Sequence, residues 1–244
     1  QHFAYAAREG NKDFVVLDGK EGKKYYDTYS PTFSSDGQHF AYEVHEGNKY
    51  FVVLNGKEGK KYDVVNYSTF SPNSQHFAYI VWKSNKSFIV LDGKEGKRYD
   101  DFYSLIFSPD SQHFAYAVGK GNKKFIVLDG KEGKKYDEIN KFTLTFSPDS
   151  QHFAYVALDG GKRFVVLDGK EGKKYDWVNE LTHPTFSPNS QHFAYYVTYE
   201  RNKGFVVLDG KEGKKYDEIN EFTLTFSPDS QHFAYVALDG GKRF

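Results

Sequence analysis

The chain has 244 residues, and its 33 basic and 33 acidic side chains give a formal charge of zero; it contains neither cysteine nor methionine. Balanced charge leaves no electrostatic footprint for nucleic acid or an anionic membrane, and the missing thiols exclude disulfides, thiolate metal sites and cysteine nucleophiles. No apolar run approaches the roughly 20 residues of a membrane-spanning helix, so neither a nucleic-acid partner nor membrane insertion is expected. No signal peptide is visible, and nothing in the composition specifies a compartment. A start without methionine, inside a repeat, reads as an excised, processed or engineered segment.

In chain order, Gln1-His-Phe-Ala-Tyr-Ala-Ala7 reads as a strand and Arg8-Glu-Gly-Asn-Lys-Asp13 as a hairpin loop. Phe14-Val-Val-Leu17 is an apolar run suited to a strand buried on both faces. Asp18-Gly-Lys-Glu-Gly22 is a tight turn whose Asp-Gly pair supplies positive φ angles, and Lys23-Lys-Tyr-Tyr-Asp27 a short edge strand. Pro31-Thr-Phe-Ser34 opens the next unit, and Ser34-Ser-Asp-Gly37 turns it back.

The same order then recurs. Units begin at Gln1, Gln38, Gln75, Gln112, Gln151, Gln191 and Gln231, at intervals of 37, 37, 37, 39, 40 and 40 residues, and the last is truncated. Each reads as four strands, A to D; in the fifth unit these are 142–146, 152–157, 164–167 and 173–176. No window keeps helical three-four spacing. Four short antiparallel strands per repeat of this length predict an all-β fold, a β-propeller of four-stranded blades, forming one domain over 1–244.

Thr145-Phe-Ser-Pro-Asp-Ser-Gln-His-Phe-Ala-Tyr155 followed by Phe164-Val-Val-Leu-Asp168 resembles the TolB-type repeat, a WD-repeat-like propeller unit. The resemblance runs the length of the chain. Ser replaces the turn Gly except at Gly37, Asn replaces Asp at Asn73 and Asn189, Ser35 replaces Pro, and the Trp-Asp dipeptide of WD repeats is absent. That family includes periplasmic, cytoplasmic and enzyme-appended propellers, so the resemblance implies fold rather than a single function.

Strand inventory leaves closure open between six and seven blades. Six is favoured because the last A strand can then join residues 1–27, whereas seven leaves an inner edge unpaired. In the six-bladed form, residues 231–244 are surplus and could associate with a second molecule.

The histidines at 2, 39, 76, 113, 152, 192 and 232 look like a metal array. Equivalent sites on packed sheets lie about 10 Å apart, whereas zinc needs each nitrogen at about 2 Å, so their expected role is hydrogen bonding within or between blades. Asp-Gly-Lys-Glu-Gly lacks the alternating oxygens of a calcium loop. No nucleophile elbow or phosphate loop is present, so no catalytic residue, cofactor or metal is expected.

The repeats disagree in two places only, the B–C loops and the D–A links (Thr28-Tyr29, 64–67, 101–103, 138–140, 177–183), which emerge at one rim. That rim is the expected protein- or peptide-binding surface of a non-catalytic scaffold, with Arg8, His45, Trp82, Lys120, Trp177, His183, Tyr199 and Arg201 as candidate contacts, including types enriched at interface hot spots. The alternatives are neutral drift in a structural or engineered repeat protein, or the propeller portion of a larger enzyme. Residues 137–164 and 217–244 differ only at Lys141 versus Glu221, as recent duplication or deliberate amplification would leave them.

Overall fold

The computed structural model describes residues 2–176, 180–181, 184–199, 203–220 and 223–243. Every regular element of appreciable length in them is a strand, and none is a helix long enough to cross a membrane. The chain falls into two compact units, 1–102 and 103–244.

The first unit holds three sheets. One is β1 (Ala4–Glu9), β2 (Lys12–Leu17) and β3 (Lys20–Glu21). The next two are four-stranded: β4 (Asp27–Phe33) to β7 (Lys57–Glu58) through β5 (Phe40–Glu46) and β6 (Lys49–Leu54), then β8 (Val64–Phe70) to β11 (Lys94–Glu95) through β9 (Phe77–Lys83) and β10 (Lys86–Leu91). The Phe-Ala-Tyr runs of β5 and β9 and the apolar runs 14–16, 51–53 and 88–90 of the C strands are buried on both faces, because these sheets pack against one another. Ala41 and Ala78 are fully buried where sheets approach closely, and Tyr25 and Tyr62 from the outer edges meet Phe51 and Phe88 of the following sheets edge-on at 5.7 and 5.9 Å. Each such fully buried aromatic removes apolar surface worth roughly 1.5–3 kcal/mol. Among the described residues β1 pairs with β2 alone, and Phe3 and Tyr5 are exposed where Phe40 and Tyr42 are buried.

The second unit continues the pattern. Its first sheet runs from β12 (Asp101–Phe107, across the division) through β13 (Phe114–Lys120) and β14 (Lys123–Leu128) to β15 (Lys131–Glu132). In the following sheet β16 (Glu138–Ile139) and β17 (Thr145–Phe146) both pair with β18 (Phe153–Asp159), which carries β19 (Lys162–Leu167) and β20 (Lys170–Glu171). β21 (Glu180–Leu181) and β22 (Thr185–Phe186) likewise share β23 (Phe193–Thr198), followed by β24 (Gly204–Leu208) and β25 (Lys211–Glu212). In the last repeat β26 (Glu218–Ile219) pairs β29 (Ala237–Asp239), β27 (Thr225–Phe226) pairs β28 (Phe233–Ala234), and β30 (Lys242–Arg243) pairs β29.

Three expectations are revised. The last A strand pairs with its own B strand rather than serving as the end-to-end clasp of a six-bladed closure: β26 pairs β29 and β27 pairs β28, so residues 231–243 are taken up within their own repeat. The four-residue Ser-Pro-Asp-Ser turn makes that pairing local, and closing a short loop costs less entropy than joining chain ends. The D strand is not 173–176 but Lys170–Glu171, followed by a single bridge at Tyr175. Asp168 and Gly169, at φ 51° and 74°, form the whole turn, so pairing resumes at once. Between the two pieces Gly172 donates to the Val165 carbonyl at 2.8 Å; at its equivalent, Gly22, a Cβ would lie 2.9 Å from Val15 O. Finally, the first four supposed D–A links are the opening residues of the A strands, with Thr28, Val65, Phe102 and Ile139 buried, while most of 177–183 lies outside the described residues.

Candidate binding surface

At the A–B turn end of the strands, the repeated motif is tied by a uniform hydrogen-bond scheme. Ser147 Oγ donates to Asp149 Oδ1 at 2.5 Å and accepts the His152 N–H at 2.9 Å, while Asp149 also accepts the Gln151 N–H. These bonds, the Ser147 hydroxyl foremost, hold the Asp149 carboxyl below its usual range. The amide of each turn then reaches the next repeat: Asp36 N–H to Ser74 Oγ, Asp110 to Ser150, Asp149 to Ser190 and Asn189 to Ser230, each 3.0 Å. The accepting serines sit at φ 61–64°, a region that costs an L-residue roughly 1–2 kcal/mol. Gly37 occupies that position in the turn over 34–37, at φ 71°.

The framework histidines behave as expected. His152 Nδ1 lies 2.7 Å from Asp168 Oδ2, the other oxygen of Asp168 accepts the Phe153 N–H at 2.9 Å, and the ring stacks on Phe186 of the next sheet at 6.2 Å. His2, His113 and His192 repeat this arrangement with Asp18, Asp129 and Asp209. At His39 the partner is Asn55, whose amide nitrogen lies 2.9 Å from Nδ1.

The other strand end carries the residues on which the repeats disagree. Its hairpins are tighter than the sequence indicates: two residues, as at Ser84–Asn85 (φ 53° and 59°) and Gly160–Gly161 (58° and 76°), the geometry that suits twisted antiparallel strands. Arg8, His45 and Trp82 stand at one register position, the penultimate residue of β1, β5 and β9. Arg8 and His45 are brought together on Asp27, whose two oxygens lie 3.2 Å from Arg8 Nη2 and 3.2 Å from His45 Nδ1. The His45 ring also stacks on Tyr50 at 4.4 Å. Trp82 is half-buried between Val64 and Ser87 rather than exposed, and Tyr199 is half-buried against Phe205. Lys120 is exposed at the end of β13. Trp177, His183 and Arg201 lie outside the described residues.

The inner strand is first interrupted in the fifth repeat, where the interval lengthens to 39 residues, and the two repeats that follow, at 40, are split likewise. The A strand, expected over 142–146, is split because two extra residues cannot be accommodated in a continuous ladder. Asn140 keeps the pairing, donating its N–H to the Val156 carbonyl at 3.0 Å, and the chain then leaves the sheet. Thr143 closes the detour: its hydroxyl donates to the Asn140 carbonyl (2.7 Å) and accepts the Val156 N–H (2.9 Å) in place of a strand carbonyl. Asn140 Oδ1 accepts the Phe142 N–H at 3.1 Å. Lys141 and Phe142 are thereby lifted outward, and Phe142 is 68% exposed, the most exposed large apolar residue described.

Beneath this detour opens a cavity of about 620 Å³ between the β12–β15 and β16–β20 sheets. Tyr103, Lys124, Glu138, Lys141, Phe142 and Arg163 are among its walls. Lys124 Nζ sits 4.7 Å from the Tyr103 ring centre and 3.9 Å from Glu138 Oε1, and Lys141 Nζ lies 4.9 Å over Phe142. Glu138 and Asn140 belong to the variable links read from the sequence; Lys124 and Arg163, on C strands, carried no such signal. The interval of 39 residues is the sequence feature that points to Phe142.

Glu43 also escaped the sequence reading. It stands where other repeats have Ala6, Ile80, Ala117, Val156, Tyr196 and Val236, and it is buried. The N–H and hydroxyl of Ser68, in a bulge of β8 that places Tyr67 at φ 56°, donate to it at 3.1 and 2.8 Å. Burial pushes its carboxyl up, and the Ser68 bonds offset part of that. Among the described residues no three acidic, histidine or cysteine side chains gather as a metal-binding group.

No protein-family model matches the chain, and no curated relative does. Among solved structures, a eukaryotic initiation factor is similar over 88% of this chain and 63% of its own, at 17% identity and a TM-score of 0.56. The Dos1 propeller is similar over 96% of this chain and 71% of its own, at 13% identity and 0.50. TolB from Acinetobacter baumannii is similar over 88% and 65%, at 20% identity and 0.42. The chain thus spans less than two-thirds of the initiation-factor and TolB chains. With four-stranded antiparallel sheets repeating along both units, the fold is that of a β-propeller, as the resemblance of the repeat to TolB-type, WD-repeat-like units implies.

Proposed function

We propose that this chain is a non-catalytic propeller scaffold that binds a protein or peptide segment at the hairpin end of its sheets, centred on the cavity of the fifth repeat. The observation that carries this reading is the detour at Asn140–Thr143. It sacrifices ladder pairing, rebuilds it with a threonine hydroxyl, and holds Phe142 in solvent over a cavity of about 620 Å³. An exposed aromatic on a rigid support is what an interface anchor requires, and a cavity of roughly 300–1,000 Å³ is of ligand-binding size.

Selection of peptides from a random display library on the intact chain tests the reading. Binders are expected to lose affinity for Phe142→Ala and Tyr103→Ala and to protect residues 138–142 from hydrogen exchange. Binders indifferent to both substitutions, protecting the Ser-Pro-Asp turns instead, would refute it. A structural or engineered repeat without an evolved ligand is the second reading, favoured by the single difference between 137–164 and 217–244. It predicts no selective capture, and no effect on capture of Trp82→Ala with Tyr199→Ala.

A further inference from the structure

We infer that the cavity of the fifth repeat is a carboxylate-binding seat, so that the segment it takes is an acidic peptide; the inference rests on the binding reading above and specifies its ligand. Two lysines, Lys124 and Lys141, line the cavity with a single carboxylate, Glu138, leaving one positive charge in excess within a chain that is neutral overall. Elsewhere lysines meet acids across sheets, as Lys23 does Glu58 and Lys173 does Glu212. Lys141 instead rests on the Phe142 ring and has no acidic partner among the described residues. Lys124 is partly buried over Tyr103, and Glu138 at 3.9 Å is beyond hydrogen-bond distance. An ammonium with three donors, held in a partly dry wall, favours a carboxylate that can approach more closely than Glu138 does.

The apolar component of the seat fixes the second half of the ligand. Phe142 faces solvent on a turn locked by Asn140 and Thr143, so little ordering entropy is lost when a side chain covers it. A carboxylate with an adjacent aromatic or aliphatic side chain matches both halves. Nucleic acid fits less well, because its affinity comes from a track of cations along the backbone, and this excess is confined to one cavity.

The last repeat supplies an internal control. Its 28 residues 217–244 copy 137–164 except for Glu221 in place of Lys141, and Gly204 stands at the register position of Lys124, each facing a tyrosine of the next outer strand. The same local sequence therefore occurs once with both lysines and once without them. Glu at this position is compatible with the fold, since the native sequence already carries it at 221.

Fluorescence anisotropy on the full chain tests the seat with three labelled probes: the peptides Gly-Glu-Tyr-Asp-Gly and Gly-Gln-Tyr-Asn-Gly, and a pentauridylate. The acidic peptide is expected to bind at least about tenfold more tightly than its amide counterpart at low salt and to lose that margin as salt is raised. Lys141→Glu should abolish the preference, and Phe142→Ala should weaken both peptides. Equal binding of the two peptides, still sensitive to Phe142→Ala, would overturn the carboxylate seat and leave the binding reading standing. Tighter binding of the oligonucleotide would overturn it in favour of a nucleic-acid site. No binding by any probe would also overturn it, the display selection then deciding the broader reading on its own.

Discussion

The serine that closes each A–B turn offers a direct measurement of how the repeats are joined. Ser150 stands at φ 64°, is 3% exposed, and accepts the Asp110 amide at 3.0 Å. Ser150→Ala keeps the strained backbone and removes the acceptor, which costs about 1 kcal/mol for one hydrogen bond. Ser150→Gly removes the same acceptor but relieves a left-handed penalty of about 1 kcal/mol, so its net change is close to zero. For a chain of this length the alanine variant should melt about 2–4 °C below the parent, with the glycine variant close to the parent, by circular dichroism or calorimetry. The converse substitution, Gly37→Ser at φ 71°, takes on the backbone penalty and should cost about 1 kcal/mol. If Ser150→Ala matched the parent and Ser150→Gly exceeded it by about 1 kcal/mol, the hydroxyl would contribute nothing and the reasoning would fail.

Three further predictions concern single repeats. Thr143→Val is nearly isosteric and leaves the buried Val156 N–H without an acceptor; a loss of about 1–3 kcal/mol in urea unfolding is expected, with faster hydrogen exchange at Val156. Asp168→Ala should cost more than His152→Ala, because it frees the Phe153 N–H as well as the imidazole, and equal losses would show that the backbone bond is inert. Glu43 has a folded-state pKa raised by burial, so the folded chain holds that proton more tightly than the unfolded chain does. Its contribution is fully present below the unfolded pKa of about 4.3 and is lost as pH rises through the higher folded value. The stability of Glu43→Gln relative to the parent should therefore increase between about pH 4 and pH 7, and a flat difference would contradict the assignment.

The framework was legible because it is written seven times. Gln-His-Phe-Ala-Tyr at near-constant spacing identifies the B strand, Asp-Gly its outer hairpin and Ser-Pro-Asp-Ser the inner turn, and repetition removes the ambiguity that short apolar runs have singly. What repetition could not convey was where a strand begins once its first residues vary. Thr28, Val65, Phe102 and Ile139 share a buried register position yet have little in common as residue types, so they read as linker. Trp82 reads as exposed from its residue type and its place near a hairpin, but pairing on both sides half-buries it. The cavity was least visible: Lys124 and Arg163 are ordinary-looking solvent-facing positions of a C strand until an insertion in the following link brings Phe142 and Glu138 up beside them. Glu43, by contrast, could have been found by aligning the repeats and asking which one places a charge in an apolar column.

The two ends of the strands differ in how tightly neighbouring repeats are coupled, and this accounts for where variation accumulated. At the turn end, an amide–hydroxyl bond passes from one repeat to the next in the same register, and a histidine ring fixed by its aspartate, or at His39 by Asn55, stacks on the following sheet. Changing any one residue there breaks interactions in two sheets. At the hairpin end, the links between neighbouring sheets are ion pairs that differ from repeat to repeat: Arg8 with Asp27, Lys12 with Glu46, Lys123 with Asp159, Lys214 with Asp239. Exposed pairs of this kind contribute about 0–1 kcal/mol each, so substituting them leaves the sheets in place. A repeat protein that acquires a binding site under those constraints acquires it at the weakly coupled end. The two-residue insertion at Asn140–Thr143 meets those constraints: it rearranges the inner strand locally, repairs its own hydrogen bonds, and leaves the Ser147–His152 turn with its usual bonds.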